Sequence, residues 1–199
     1  MSLDRSSHSY LSGLKVRMSM NGGRVAHITP LVPTAKLHKT TLLKFLGSLQ
    51  QDGINQVYTS ALRPREQFFF RQLGFIVHEE LLLLGHDLST PLSTPVKRTR
   101  RGRRSDWDRI LEIDTKAFSD FLKFDEAALL EAIKATPTCR IRVGADNGIS
   151  SFAITGRSGR IGFLQRLAVD PRYQRTGMGR SLVADGPQWS KRGLVNELP

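Results

Sequence analysis

The chain has 199 residues, of which 39% are hydrophobic and 24% charged, and its formal net charge is +12. This composition is typical of a globular protein, and the length allows one sizeable domain or two small ones. The single cysteine, Cys139, excludes an internal disulfide framework, and the histidines lack the spacing of zinc ligands. No apolar run is as long as a membrane span, and the amino-terminal residues do not form a signal peptide. We therefore expect a soluble, cytoplasmic protein without a bound metal or membrane contact, and the positive charge favours anionic partners.

The first half alternates between strands and helices. Apolar residues recur with the period of a strand or of a helix in turn, and Gly53 and Gly74 follow the two helical runs, where glycine commonly ends a helix. Asn21, Gly22 and Gly23 predict a turn. The predicted elements are strands at 14–20 and 24–32, a helix at 40–53, a strand at 54–62, a helix at 64–75 and one or two strands at 76–88.

Residues 89–105 interrupt the apolar periodicity, and we interpret them as an exposed linker. Serine, threonine and proline give way here to a basic segment, residues 97–104, with six cations: Lys97, Arg98, Arg100, Arg101, Arg103 and Arg104. One hypothesis is a contact with nucleic acid or another anionic surface through this segment. The simpler interpretation is a solvated linker between two domains, because no aromatic residues are interleaved to stack on bases.

The second half predicts two helices, three antiparallel strands, a loop and a last helix. Pro137 ends the second helical run, and Asn147 with Gly148 is a pair typical of tight hairpin turns. The elements are helices at 106–118 and 124–137, strands at 139–143, 149–155 and 160–169, and a helix that follows a glycine-containing loop.

That loop, within "LAVDPRYQRTGMGRSLV", has the character of a phosphate site. A strand ends at Asp170, and Gly177 and Gly179 precede an apolar helix. The start of a helix offers unpaired backbone N–H groups and a positive dipole end, which together bind phosphate. Small residues would let the backbone approach the ligand, and Arg175 and Arg180 flank the loop. We predict a pyrophosphate site; the alternative is a glycine turn that only begins a helix.

The same stretch resembles the acyl-CoA-binding motif of the GNAT superfamily of N-acetyltransferases. The resemblance covers about residues 104–193 and implies that the loop holds the CoA pyrophosphate while the preceding strand binds the pantetheine arm through its backbone. Acetyl-CoA would then be the acyl donor and an amine the acceptor. The implied cofactor-binding residues are Leu167, Ala168 and Val169 in the strand and Gln174, Arg175, Thr176, Gly177, Met178, Gly179 and Arg180 in the loop.

Residues 40–84 resemble the later half of the same fold, and "FFRQLGF" is similar to a segment that carries the catalytic tyrosine in that family. We therefore expect an α/β (α+β) fold with a mixed sheet flanked by helices, in two incomplete tandem units. The predicted division is a degenerate unit at 1–88, the basic linker at 89–105, and an acetyltransferase unit at 106–199. The second unit would stop short of the family's next strand and helix, and its open sheet edge makes a homodimer a further hypothesis.

No catalytic acid or base can be identified. Where the family places a glutamate, this chain has Gln165 and Arg166, neither of which accepts a proton at neutral pH. Phe70 occupies the position of the tyrosine acid, and we interpret Tyr58 and Tyr173 as packing or surface residues. The resemblance favours an N-acetyltransferase of unknown acceptor. The alternatives are a catalytically impaired CoA-binding or scaffolding protein of the same fold and a basic nucleic-acid-associated protein.

Overall fold

The structure, a computed structural model, describes residues 8–18, 24–90, 94–145 and 148–195. These residues form a mixed α/β fold, the class that the sequence predicts, with two four-stranded sheets and five α-helices. The chain divides into two compact units, Met1–Leu84 and Gly85–Pro199. None of the helices in the described ranges is long and apolar enough to cross a bilayer. The division at 88 and 105 and the tandem origin of the units remain predictions.

The first unit has one sheet with both of its α-helices on one face. The sheet order is β1-β2-β3-β4; the first two pairs are antiparallel, and β3 and β4 are parallel because α1 crosses between them. Leu42 of α1 and Phe70 of α2 pack against Val16 and Ile28 of the sheet. The elements are β1 (His8–Leu11), β2 (Leu14–Met18), β3 (Val25–Pro30), α1 (Lys39–Gln51), β4 (Gln56–Thr59) and α2 (Pro64–Arg71).

Two features of this unit differ from the prediction. The strands predicted at 76–88 are absent from the structure, and the leucines at 81–84 are exposed, Leu83 completely. An unbroken apolar run does not specify a strand, because it lacks the alternation that would bury one face. In addition, the short strand β1 is present although no pattern predicted it. The turn predicted at Asn21, Gly22 and Gly23 lies outside the described residues.

The second unit is built on an antiparallel sheet with the order β5-β6-β7-β8. Its helices and three longer strands agree with the sequence, and the hairpin pairing of β6 with β7 is confirmed, although Asn147 of the predicted turn lies outside the described residues. The elements are β5 (Thr99–Arg101), α3 (Trp107–Ala117), α4 (Glu126–Lys134), β6 (Thr138–Gly144), β7 (Ser151–Ser158), β8 (Ile161–Val169) and α5 (Met178–Val195).

Part of the predicted linker is a strand of this sheet. Residues 99–101 form β5, which pairs with β6 so that Thr99 lies opposite Gly144. The side chain of Arg100 donates two hydrogen bonds to Asp106, at 2.7 and 2.9 Å. Residues 99–101, which the sequence analysis placed in an exposed linker, are therefore part of the sheet, because pairing with a distant strand creates order that the local sequence does not indicate.

The sheet of the second unit has a helical layer on each face. On one face, α3 and α4 contribute Ile110, Ile113 and Leu129 to a core with strand residues. On the other face, Met178 and Leu182 of α5 pack against the strands. Strand residues alternate between the two layers, as the period of a β-strand requires. The strand members of the first core are Val143, Phe152, Ile154 and Ala168, and those of the second are Ala153 and Leu167.

A buried ion pair joins α3 to β8. The carboxylate of Asp114, which is completely buried, accepts hydrogen bonds from Nε and Nη2 of Arg166 at 2.7 and 2.9 Å. It also accepts a bond from the backbone N–H of Phe124 at 2.7 Å. The Arg166 guanidinium lies over the rings of Phe118 and Phe124, 3.4 and 4.1 Å from their centroids. Such enclosure makes the pair costly to break, because either partner would remain as an unpaired buried charge.

A second buried carboxylate, Asp170, lies at the end of β8. It accepts hydrogen bonds from the backbone and side chain of Arg172 and from Nη2 of Arg109, all between 2.9 and 3.1 Å. Its own N–H donates to the carbonyl of Ser150 at 2.9 Å. The hydrogen bonds from the Arg172 side chain hold the pKa of this carboxyl well below its ordinary value; burial opposes them, and the Arg172 backbone and Arg109 add to them. Asp170 is thus a turn residue and not a base.

Replacing Asp114 with asparagine should destabilise the second unit by about 3 kcal/mol or more, because Arg166 loses its buried counter-charge. Both tryptophans of the chain, Trp107 and Trp189, belong to this unit, so their fluorescence during urea unfolding reports on it. The matched control is Glu126→Gln, which removes an exposed ion pair with Arg104 and should change the stability by less than about 1 kcal/mol. Equal effects of the two substitutions would contradict the prediction.

The lowered pKa of Asp170 predicts an acid-sensitive contribution to stability. A carboxyl whose pKa is depressed by folding stabilises the protein above its unfolded pKa of about 4 and loses that contribution as the pH falls further. The urea midpoint of the wild type should therefore decrease more steeply between pH 5 and about pH 2 than that of Asp170→Asn. The variant should also be less stable at pH 6, by about 2 kcal/mol. Parallel pH curves for the two proteins would refute this role.

Candidate functional site

The strand residues of the predicted site lie at the end of β8. Leu167, Ala168 and Val169 pair with Ala153, Phe152 and Ser151 of β7. Within the described sheet, β7 is the only strand hydrogen-bonded to β8, so β8 forms its edge. The backbone groups on the outer side of β8 are therefore available for pairing with another extended group.

A β-bulge interrupts β8 just before these residues. Arg166 pairs with Ile154 and Leu164 with Thr155, which leaves Gln165 without an opposite residue. The Gln165 amide nitrogen donates to Oγ1 of Thr136 at 3.4 Å, while its buried Oε1 has no hydrogen-bond partner among the described residues. Bulges of this kind are common beside functional sites, where they redirect a side chain. Nothing in the sequence pattern had indicated the bulge.

Internal hydrogen bonds close the turn that follows β8. The Thr176 hydroxyl donates to the Tyr173 carbonyl at 2.7 Å, and the Gln174 amide nitrogen donates to the Val169 carbonyl at 3.4 Å. The Tyr173 N–H donates to the carbonyl of Asp170 at 2.8 Å. Two of the predicted loop residues, Gln174 and Thr176, thus use their side chains to hold the shape of the loop.

The glycine loop, residues 174–180, contains two residues in the left-handed region of backbone conformation. Gly177 has φ +86°, and Arg175 has φ +63°. A Cβ atom added to Gly177 would meet no atom of the described chain within 4 Å, so the backbone conformation, and not crowding by the protein, requires glycine there. At Gly179 an added Cβ would lie 3.6 Å from Val169, an ordinary contact. The fold alone therefore does not require Gly179.

The loop ends in a group of unpaired donors at the start of α5. The first N–H of this turn with a backbone acceptor belongs to Ser181, which donates to the carbonyl of Gly177 at 3.1 Å. Among the described residues, the N–H groups of Met178, Gly179 and Arg180 have no such acceptor, as is usual at the start of a helix. The positive end of the α5 dipole lies at the same place, so the arrangement attracts anions.

The arginines around the loop have different roles. The guanidinium groups of Arg175 and Arg180 are exposed and make no hydrogen bond or ion pair with the described residues. Arg172, in contrast, is bound to Asp170. Arg166, one residue after the bulge, is occupied by Asp114 and by the Leu122 carbonyl. Two cations beside the unpaired N–H groups therefore remain available for a polyanionic ligand.

Two residues that the sequence analysis weighed for the catalytic acid, Phe70 and Tyr58, belong to the first unit. Phe70 is a core residue of the first unit, in edge contact with Phe69 and Phe75. Tyr58, also in the first unit, stacks with His27. Burial raises the pKa of the Cys139 thiol, which disfavours a nucleophilic thiolate. In the part of the chain that the structure describes, no cluster of three or more metal-ligating side chains occurs.

The comparisons with known proteins identify the fold. No protein-family model and no curated protein matches the chain. Among solved structures, a GCN5-related N-acetyltransferase from Sphaerobacter thermophilus is 14% identical, has a TM-score of 0.50, and is matched over 92% of this chain and 65% of its own. The ribosomal-protein-S18-alanine N-acetyltransferase of Escherichia coli is 23% identical, with a TM-score of 0.42, over 49% of this chain and 61% of its own.

A third similar structure is a putative streptothricin acetyltransferase from Bacillus anthracis in complex with acetyl coenzyme A. It is 20% identical and has a TM-score of 0.36, over 48% of this chain and 69% of its own. The chain thus spans only about three fifths of the E. coli enzyme it resembles. At these identities the likeness concerns the fold alone, which is that of the GCN5-related N-acetyltransferase from Sphaerobacter thermophilus.

Proposed function

We propose that the chain binds acetyl-CoA at the glycine loop and transfers the acetyl group to a primary amine. The proposal rests on three features that follow one another along the chain. The edge strand β8 comes first, then Gly177 with a left-handed backbone conformation, and then the unpaired N–H groups at the start of α5. A helix start of this kind binds phosphate without further side chains. The GNAT fold supplies the reason to expect the pyrophosphate of CoA in particular.

The predicted residues other than Gln174 and Thr176, which hold the loop, would contact the ligand in this proposal. The outer backbone groups of β8 at Leu167, Ala168 and Val169 would pair with the amides of the pantetheine arm. The N–H groups from Gly177 to Arg180 would bind the pyrophosphate, and the free guanidinium groups of Arg175 and Arg180 would add charge-assisted hydrogen bonds. Gly179, which the fold itself does not require, would leave room for the approaching ligand.

The acetyl transfer itself would depend on how the two substrates are positioned more than on a base supplied by the protein. The nitrogen of a neutral amine attacks the thioester carbonyl and a C–N bond forms. The C–S bond then breaks, the nitrogen gives its extra proton to water, and CoA leaves as a thiolate that takes up a proton from water. In the described residues of β8 and the loop, the one carboxylate, Asp170, is buried and bound to two arginines. The amine would therefore lose its proton to solvent, and catalysis would come from proximity and from backbone donors to the thioester oxygen.

A second candidate is a CoA-binding protein without turnover. The specific observation in its favour is Gln165, an amide at the place where the resemblance leads one to expect a carboxylate. Both candidates require the same cofactor site and differ only in the transfer step. The nucleic-acid hypothesis has less support, because Arg100 and Arg104 of the basic segment are engaged by Asp106 and Glu126.

Binding of acetyl-CoA tests the site directly. Calorimetric titration at raised salt should give saturable one-site binding, because screening suppresses nonspecific attraction between a polyanion and a +12 protein. Gly177→Glu should weaken the affinity by about 100-fold or more, since it adds a negative charge where the pyrophosphate would lie.

The matched control for this titration is Gly159→Glu. Gly159 also has a positive φ, +51°, and no atom near an added Cβ, but it lies in the turn between β7 and β8. This variant adds the same charge with a similar backbone strain and should bind like the wild type. Absence of binding by the wild type, or equal binding by both variants, would overturn the proposal.

The absence of a protein base in the proposed mechanism predicts a specific pH dependence. In assays of acetyl-CoA consumption, kcat/KM should rise tenfold per pH unit until the pH reaches the pKa of the acceptor amine itself. Two acceptors with different amine pKa values should give profiles displaced by that difference. A plateau at one common pH for both acceptors would indicate a protein base instead, and no consumption with any amine would favour the binding protein.

A further inference from the structure

The cations of the basic segment fall into two groups. Arg100 is held by Asp106, and Arg104 lies 3.6 Å from the ring centroid of Trp107 and pairs with Glu126. These two arginines stabilise the start of α3. Lys97 and Arg98 instead make no side-chain hydrogen bond or ion pair in the described part of the chain.

A buried serine ties the first of these free cations to α5. The hydroxyl oxygen of Ser181, a residue that is 1% exposed, accepts hydrogen bonds from the backbone N–H groups of Val96 and Lys97 at 3.1 and 2.9 Å. Farther along α5, Lys191 donates to the carbonyl of Leu88 at 3.4 Å. Val96 and Lys97 therefore contact the first turn of α5, and Leu88 contacts the same helix farther from its start.

This anchoring brings Lys97 close to the glycine loop. Ser181 is in the first turn of α5 and bonds to the carbonyl of Gly177, and at about 1.5 Å of rise per residue it stands only about 3 Å along the axis from Gly179. A lysine side chain is a flexible four-carbon stem that can span such a distance. Lys97 thus lies near the start of α5 together with Arg175 and Arg180 of the loop, and Arg98, also without a partner among the described residues, follows Lys97 directly in the chain.

We propose that Lys97 and Arg98 bind the 3′-phosphate of CoA, and this inference rests on the proposed function of the glycine loop. CoA carries two separate anionic groups, a pyrophosphate and a phosphomonoester on its ribose. The loop provides N–H groups and two arginines for the pyrophosphate. A phosphomonoester has nearly two negative charges at neutral pH, which favours a site with further cations. Lys97 and Arg98 supply them from a separate part of the chain.

The test compares CoA with 3′-dephospho-CoA, which lacks only the phosphomonoester. By calorimetry at 0.15 M salt, the wild type should bind CoA about ten-fold more tightly than 3′-dephospho-CoA. In the double variant Lys97→Ala/Arg98→Ala, this ratio should fall to near one, because the affinity for CoA decreases while that for 3′-dephospho-CoA changes little. Both side chains are at least partly exposed, and the backbone donor of Lys97 is retained, so the fold should persist.

The matched control is the double variant Arg101→Ala/Arg103→Ala. It removes the same two charges from exposed positions of the same segment, farther along the chain from Ser181, and should keep the wild-type ratio. A wild-type ratio near one, or equal ratios in the two double variants, would overturn the inference while leaving CoA binding at the loop intact. Failure of the wild type to bind either compound would overturn the proposed function and this inference together.

Discussion

A carboxylate that is buried and must stay paired fixes the position of the glycine loop. Asp170 receives hydrogen bonds from the turn before the glycine loop, through Arg172, and from α3, through Arg109, while Arg109 also donates to the Ile149 carbonyl at 2.9 Å. A buried charge without partners would cost several kcal/mol. The strand end, the loop and α3 can therefore separate only at that cost. This ionic contact positions the turn before the proposed phosphate site, and the hydrogen bonds of Gln174 and Thr176 then hold the shape of the loop.

Part of the positive charge of the chain stabilises the fold and is not available to a ligand. Arginines pair with buried or half-buried carboxylates at several places in the second unit, and each such pair satisfies polar atoms that the fold encloses. Arg166 with Asp114, Arg100 with Asp106 and Arg140 with Asp185 are examples on three different elements. A count of cations alone overstates the surface that is available to an anionic partner. What distinguishes the proposed ligand-binding cations is their lack of a partner, not their number.

The sequence predicted the features that are local and missed those that depend on distant pairing. The order of β8, the glycine loop and α5 follows from an apolar strand, a proline turn and an apolar helix pattern that lie together in the chain. Asp170 as a turn residue has the same local origin. The ion pair of Asp114 with Arg166 joins residues 52 positions apart and has no local signal.

The errors have a related cause. β5 consists of Thr-Arg-Arg, which has no apolar alternation and becomes a strand only because β6 offers an edge to pair with. Conversely, the apolar run at 81–84 has strand-like composition but stays exposed. The bulge at Gln165 is likewise set by register against β7 and not by the residues of β8 themselves. Local patterns thus gave the composition of the candidate site, and tertiary pairing determined its shape.

The open edge of β8 has a consequence for the protein in solution. The first residues of this strand expose apolar side chains, with Ile161 60% and Phe163 and Leu164 each 44% accessible. Copies of a chain with a charge of +12 repel one another at low ionic strength, but this repulsion is screened beyond about 8 Å at 0.15 M salt. Added salt would then remove the barrier that keeps two such edges apart. Colloidal stability should accordingly decrease as salt is raised, with light scattering increasing first at high protein concentration.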